Sequence, residues 1–243
     1  MTLGFALEDV AVERGGVLAV RGVSYANDGP GWIGIVGANG SGKTSLLRAM
    51  AGRLPIRSGR ILIGGADLSR DRAARAAAIG FAVDAAMLPD ALTVREVFAI
   101  SAQERDASEA PALAPLRAAL GVDTVLNRPC GTLSAGMGQR AALFGAFLDL
   151  PRIVILDEPF NWLDPLTAFD VKAALGALVA SEGMTLITAL HDVPTLTACC
   201  SRGLLMADGG IALTLEEAEL RAGLADPLGF EAAMIERLRG ARG

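Results

Sequence analysis

The chain has 243 residues, 52% of them hydrophobic, which is enough apolar material for one large domain with a sizeable core and excludes global disorder. Its net charge of −5 at neutral pH argues against a nucleic-acid partner held by bulk electrostatics, and none is expected. Mean hydropathy is high, at +0.43, so membrane spans are the first possibility to test.

Taken in chain order, FALEDVAV and VLAVRGVSY alternate with the period of strands, and ERGG between them is a turn signal. The opening MTLGFALEDVAVERG carries acids early and lacks a basic flank before an apolar core, so it does not read as a signal peptide. WIGIV (32–36) is a short apolar strand, and TSLLRAMAG reads as a helix that ends at Gly52. GRILIGG is a strand, SRDRAARAAA a polar, alanine-rich helix, and IGFAV a further strand. From about residue 84 to 132 the character changes to helical patches punctuated by Pro89, Pro111, Pro115 and Pro129, which suggests an inserted helical lobe.

The most apolar stretch follows, AALFGAFLDLPRIVIL (141–156), but Asp149, Pro151 and Arg152 interrupt it. No run reaches the roughly 18–20 residues of a spanning helix. The expectation is a cytoplasmic protein. IVILDEP is a buried strand, PLTAFDVKAALGALVASEG a helix with an apolar stripe, MTLITAL a strand and VPTLTACCSR a helix. GLLMAD and GIALT form a hairpin. One or two helices over 215–239 carry Leu215, Leu220, Leu224, Leu228, Ile235 and Leu238, expected to pack on their own domain, with a dimer contact as the alternative. Strands alternating with helices imply an α/β class with a largely parallel sheet. Cys130, Cys199 and Cys200 lack metal-site spacing and read as reduced thiols.

The chain has only two lysines, Lys43 and Lys172. Lys43 lies in GANGSGKT (37–44), where Gly37, Gly42, Lys43 and Thr44 satisfy G-x-x-x-x-G-K-[ST] between an apolar strand and a helix. Glycines let backbone N–H groups curl around phosphate oxygens, and the helix N-terminus adds positive potential. A lysine brings a compact point charge on a long stem, whereas the planar guanidinium of arginine is bulkier. Gly37, Asn39, Gly40, Ser41, Gly42, Lys43, Thr44 and Ser45 are therefore the expected phosphate-cradling residues of a nucleotide site, with Thr44 offering its hydroxyl to Mg²⁺. In IVILDEP, Asp157 emerges at the strand end as the expected second metal ligand, and Glu158 is placed to orient or deprotonate an attacking water.

Between these elements lies LSAGMGQR (133–140). Together the three motifs resemble the ATP-binding cassette (ABC) ATPases, and the resemblance covers nearly the whole chain. It implies a P-loop NTPase (RecA-like) core with an N-terminal antiparallel β-subdomain (1–83 and 146–214), an inserted α-helical subdomain carrying the signature (84–145), and C-terminal helices (215–243). NWLD occupies the place of the D-loop, closed by Asp164. His191, the only histidine, follows MTLITAL where the family has its switch histidine. The resemblance implies catalytic roles for Lys43, Glu158 and His191. It also implies that ATP is sandwiched between two cassettes, with Ser134, Ala135, Gly136 and Met137 of one copy facing nucleotide held by the other.

The sequence departs from the family pattern in several places. Asp84 stands where the family has its Q-loop glutamine, and a carboxylate can still ligate Mg²⁺ or its water. Arg14 falls near the adenine-stacking aromatic, and a guanidinium can stack on a base as readily as it can simply cap a turn. Ala135 and Met137 replace a glycine and a glutamine of the signature, and Trp162 is unusual in the D-loop.

What the resemblance implies about function is an ATP-binding and hydrolysing subunit of an ABC transporter, using ATP and Mg²⁺. Export is the expected direction. Its partners would be a second cassette, first of all another copy of itself and alternatively an unlike subunit, and separate transmembrane permease subunits. These would hold it at the inner face of the membrane. Met87, Leu88, Leu92, Val94 and Phe98 would either meet the permease or form lobe core. A soluble ABC ATPase of the iron–sulfur assembly type is the alternative function.

Overall fold

A computed structural model describes residues 4–102 and 108–240. Residues 1–3 of the expected core, 103–107 of the expected lobe and 241–243 of the expected tail lie outside them. Two sheets organise the chain. The first is antiparallel, ordered β2-β1-β4-β5, from β1 (Phe5–Arg14), β2 (Val17–Asn27), β4 (Ser58–Ile63) and β5 (Ala66–Asp67). The second has six strands in the order β10-β9-β3-β8-β7-β6. They are β3 (Gly31–Val36), β6 (Ile79–Phe81), β7 (Ile153–Asp157), β8 (Thr185–Leu190), β9 (Arg202–Ala207) and β10 (Gly210–Leu215). All its pairings are parallel except the β9–β10 hairpin.

Parallel strands covered on both faces read as continuous apolar runs rather than alternating ones. β8 is buried throughout, and β7 is buried until Asp157. Side chains still alternate between two cores. Ile33, Ile35, Ile155 and Ile187 face the antiparallel sheet and α1 (Lys43–Met50). Trp32, Val154, Leu156 and Leu186 share the other core with Val171, Leu175 and Leu178 of α6 (Pro165–Glu182) and with residues of the helical region between β6 and β7. That region contains α3 (Val94–Ser101), α4 (Ala114–Ala119) and α5 (Ala135–Gly145). Val94 and Phe98 are 1% and 5% exposed, so they are core rather than docking surface, while Met87 is 75% exposed.

Two helices are shorter than their sequence patterns. α2 (Arg72–Ala78) begins after Asp71, whose carboxylate accepts from Ala74 N at 2.8 Å; the short polar side chain is better used as a cap than inside the helix. α7 (Val193–Cys199) stops before Ser201, whose backbone N donates to Trp32 O at 2.8 Å and leads the chain into β9. In α8 (Glu217–Ala225) and α9 (Pro227–Gly240), Leu220 and Met234 are buried, as is Leu215 at the end of β10. Leu224, Leu228 and Ile235 are exposed, and the side chain of Leu238 lies outside the described residues. No helix among the described residues is long and apolar enough to cross a membrane.

The strand order decides where chemistry can occur. β3, β8 and β7 are adjacent, and Val36 pairs with Leu190 while Asp157 pairs with Ala189. The P-loop, His191 and the Asp157–Glu158 pair thus leave the same edge of the sheet, at its carboxyl ends, where open α/β sheets bind ligands.

Candidate functional site

The P-loop is built by backbone crowding. β3 ends at Val36 and α1 begins at Lys43. A Cβ on Gly37 would lie 2.3 Å from Met206 O. Gly42 has φ +102°, and a Cβ there would lie 2.4 Å from Ala19 O. Only glycine fits either position. The turn delivers Lys43 into the interior, 5% exposed, with Nζ donating to Gly37 O at 2.6 Å and Ala38 O at 3.3 Å. Among the described residues, no carboxylate forms an ion pair with it. A buried ammonium held by carbonyls of its own loop is suited to an anionic partner. Ser41 Oγ is also buried and has no hydrogen-bond partner. Ser45 is buried behind them, while Asn39 and Gly40 form the exposed rim. These groups fit a polyphosphate: a cation, a free hydroxyl and the N-terminus of α1 converge on one loop.

Beside the P-loop lies the acidic wall. Thr44 Oγ1 donates to Asp157 Oδ1 at 3.2 Å, so two hard oxygen donors meet at the loop's inner edge. Among the described residues, no cluster of three or more His, Cys, Asp or Glu forms a closed metal cage. A pair of oxygens beside a phosphate site suits Mg²⁺, which binds one or two protein oxygens and completes its shell with phosphate and water. Burial pushes the Asp157 carboxyl above the ordinary range; the Thr44 hydrogen bond opposes this, the Glu158 charge adds to it, and Arg48 and Lys43 oppose it.

Glu158 follows in a left-handed backbone conformation, φ +51°. Its Oε2 accepts from Asn161 Nδ2 at 2.6 Å. Asp157, Glu158 and Asp84 border one cavity of about 660 Å³ with Thr44, Ser134 and Trp162. Asp84 is therefore brought to the acidic wall, but its Oδ1 accepts from Ala86 N at 3.0 Å and caps the turn at Ala85–Met87.

The signature forms the opposite rim of that cavity. Ser134 is the N-cap of α5, and its Oγ accepts from Met137 N at 3.3 Å. Ala135 is the first helical residue, where φ is negative and a methyl group costs nothing. Met137 packs partly against the core and its sulfur accepts weakly from Arg128 Nη1 at 3.7 Å, so the side chain serves packing rather than an amide's hydrogen bonds. Gly136 lies between them, close to the D-loop: a Cβ on it would stand 3.8 Å from Trp162 O. Asp164 caps α6, accepting from Leu166 N, Thr167 N and Thr167 Oγ1 at 3.1, 3.0 and 2.6 Å. The Thr167 hydroxyl first, and then these backbone donors, hold its carboxyl below the usual range.

Other expected residues lie outside this cavity, several of the P-loop among them. His191 is exposed and lines a second cavity of about 600 Å³ together with the P-loop residues Gly37, Asn39, Gly40 and Ser41 and with Met234 and Ile235. Arg14 ends β1 at the tip of the β1–β2 turn, exposed and outside both cavities. The structure adds residues that the motifs did not single out. Arg48, one helical turn beyond Thr44, reaches the acidic wall, and Gln139 Oε1 accepts from Ala85 N at 3.4 Å, linking α5 to the turn that follows Asp84. The i, i+4 spacing from Thr44 could have flagged Arg48; nothing in the sequence pairs Gln139 with Ala85.

A glycine-cradled lysine, a threonine–aspartate oxygen pair and a following glutamate define a P-loop nucleotide triphosphatase. Comparison with known proteins narrows this. The family model described as "ABC transporter" matches residues 21–161. The chain is 36% identical over 194 residues to the cytochrome c biogenesis ATP-binding export protein CcmA of Pseudomonas putida, covering 79% of this chain and 92% of that one. It is 32% identical over 251 residues to the phosphonates import ATP-binding protein PhnC of Rhizobium etli, covering 90% and 83%. Among solved structures, the ATP-binding subunit of an ABC transporter superposes with a TM-score of 0.79 at 22% identity, over 91% of this chain and 94% of that one. A dimeric post-hydrolysis ATP-binding cassette bound to ADP and Pi gives 0.75 at 22% identity, over 88% and 98%. The chain belongs to the ABC transporter family. It is an ATP-binding cassette ATPase, an enzyme that hydrolyses ATP with Mg²⁺.

Proposed function

We propose that this chain is the motor subunit of an exporter: two copies bind and hydrolyse MgATP at the inner face of a membrane and drive separate transmembrane subunits. The observation that carries the reading is the half-built state of the site. One chain supplies a buried cation held by its own loop carbonyls, an orphaned Ser41 hydroxyl and the Thr44–Asp157 pair, while Ser134 and Ala135 of its own signature stand exposed.

Lys43 exchanges the carbonyls of Gly37 and Ala38 for phosphate oxygens, and Ser41 gains the partner it lacks. Thr44 and Asp157 would hold Mg²⁺, which would supply neutralisation of charge on the phosphates. Glu158 orients water for in-line attack and takes up its proton. Ser134 and the N–H groups that open α5 are offered outward to nucleotide on the second copy, and His191 lies beside the P-loop in the second cavity. Asp84 is the remaining oxygen ligand of the acidic wall, and Arg14, at the tip of the β1–β2 turn, either reaches the adenine or stays a solvated turn residue. The expected helical subdomain spans 84–145. Its junction with the core holds a groove between α2, β6 and α5, lined by Ala76, Gly80, Phe81, Leu88 and Ala142, that receives the membrane partner, with Met87 exposed at the junction. The CcmA relative, described as an export protein, supports this direction, whereas the PhnC relative is described as an import protein.

The test is nucleotide-dependent assembly. Glu158→Gln removes the carboxylate but keeps the size, and an ATP-bound homodimer should accumulate by light scattering. A variant that stays monomeric with ATP but pairs with a different cassette subunit would replace the homodimer with a heterodimer. For direction, purified complex in vesicles should move substrate away from the ATP-binding side; movement toward it would reverse the assignment to import.

A further inference from the structure

The turn after β7 does more than present Glu158. Phe160 is partly buried, its ring 6.5 Å from that of Trp32, with Lys172 Nζ 4.9 Å over its face. Lys172 also donates to Thr195 Oγ1 at 2.8 Å, tying α6 and α7 to the same turn. With Phe160 anchored inward, the next residue points the other way, into the cavity shared by Glu158, Ser134 and Trp162. The turn closes tightly, Asn161 N lying 3.4 Å from Glu158 O, and the left-handed backbone of Glu158 folds the two side chains together. The result is the 2.6 Å hydrogen bond from Asn161 Nδ2 to Glu158 Oε2.

We infer that Asn161 is a positioning residue for the attacking-water step: its amide anchors one oxygen of Glu158 and leaves the other to receive the water. The inference rests on the reading of Glu158 as the residue that orients water. The chemistry of the partner is suited to this. A lysine or arginine at 161 would neutralise the carboxylate and compete for it as an ion pair, and a carboxylate would repel it. A neutral amide holds the anion in place and keeps its charge. A free glutamate side chain on an exposed turn samples several rotamers, and each one away from the nucleotide is unproductive. Asp157 and Asp84 border the same cavity and would favour those withdrawn rotamers by repulsion.

The experiment is steady-state ATPase kinetics on the full chain. Asn161→Ala should lower kcat about tenfold, the size expected for one charge-assisted hydrogen bond, with the KM for ATP and the melting temperature unchanged. Asn161→Ser, a shorter donor, should fall between the two. Asn161→Asp should lose at least as much as Asn161→Ala. A purely structural role for the turn would instead lower stability and move KM with kcat. Wild-type kcat in Asn161→Ala, or an Asn161→Asp variant as active as wild type, overturns the inference. Glu158→Gln separates the two levels: if it hydrolyses ATP normally, the reading of Glu158 has failed; if it is inactive while Asn161→Ala is normal, only the role of Asn161 has failed.

Discussion

The P-loop and the signature are made in opposite ways. On the P-loop side the working groups are buried and backbone-defined: Lys43 and Ser45 are 5% and 6% exposed, and glycines at 37 and 42 stand where no other residue fits. On the signature side Ser134 and Ala135 are exposed, and the serine hydroxyl is occupied only with capping its own helix. A preorganised loop can bind before anything moves. An exposed helix N-terminus is suited to meeting a ligand that arrives on another surface. The difference implies that substitutions in the P-loop act on binding, and those in the signature on turnover.

The largest effect should come from Lys43→Ala. It removes the charge the loop is folded around, so nucleotide affinity and turnover should both collapse, turnover by about 10²–10³-fold. Isothermal titration with ATP and a phosphate-release assay check this, and unchanged ATPase activity would break the P-loop assignment. Ser134→Arg places a bulky cation in the signature. It should cut turnover about 100-fold or more while leaving the Kd for ATP of the monomer within about twofold. Equal losses in binding and turnover would erase the distinction between the two.

A smaller effect sharpens the comparison through stability. The Asp157 carboxyl is raised above its unfolded value, chiefly by burial. A raised acid penalises the fold once it ionises, so the penalty is full above the folded pKa and is relieved as pH falls through it toward the unfolded value. Asp157→Asn should therefore raise the Tm of the nucleotide-free protein by a few degrees, about 2–4 °C, at neutral pH. The gain should shrink in acid, and the variant should lose its response to Mg²⁺. A lower Tm at neutral pH would show that Asp157 stabilises the empty site instead. The smallest effect belongs to Asp84, which is spent partly on its own turn. Asp84→Gln should keep activity, and Asp84→Ala should lower it by about two- to threefold, near the net worth of one exposed hydrogen bond. Wild-type activity in Asp84→Ala would remove Asp84 from the working groups of the acidic wall.

Much of this protein was legible in one dimension because its chemistry is local. The G-x-x-x-x-G-K-T spacing, the run IVIL before Asp157 and the alternation of strands with helices all depend on neighbours a few residues apart, where backbone sterics and side-chain period act directly. Helix ends were less legible. Asp71 and Ser201 look like continuations of helical patterns until a backbone N–H or the edge of β3 claims them. The roles of Val94 and Phe98 were undecidable, because an apolar residue at a lobe junction fits core and docking surface equally well until its neighbours are known.

The sequence by itself determined the nucleotide-binding family and the residues of the P-loop, because a phosphate cradle is a contiguous piece of backbone. Only the tertiary structure decided which of the other residues face one another. It placed Asp84 against the acidic wall yet engaged it in its own turn, set His191 in one cavity with Gly37, Asn39 and Ser41 of the P-loop, left Arg14 outside both cavities, and brought Asn161 onto Glu158. The physical reason is that these relations depend on strand order, on the adjacency of β3, β8 and β7, and on which side chain of a tight turn is anchored inward. None of these is a property of residues a few positions apart.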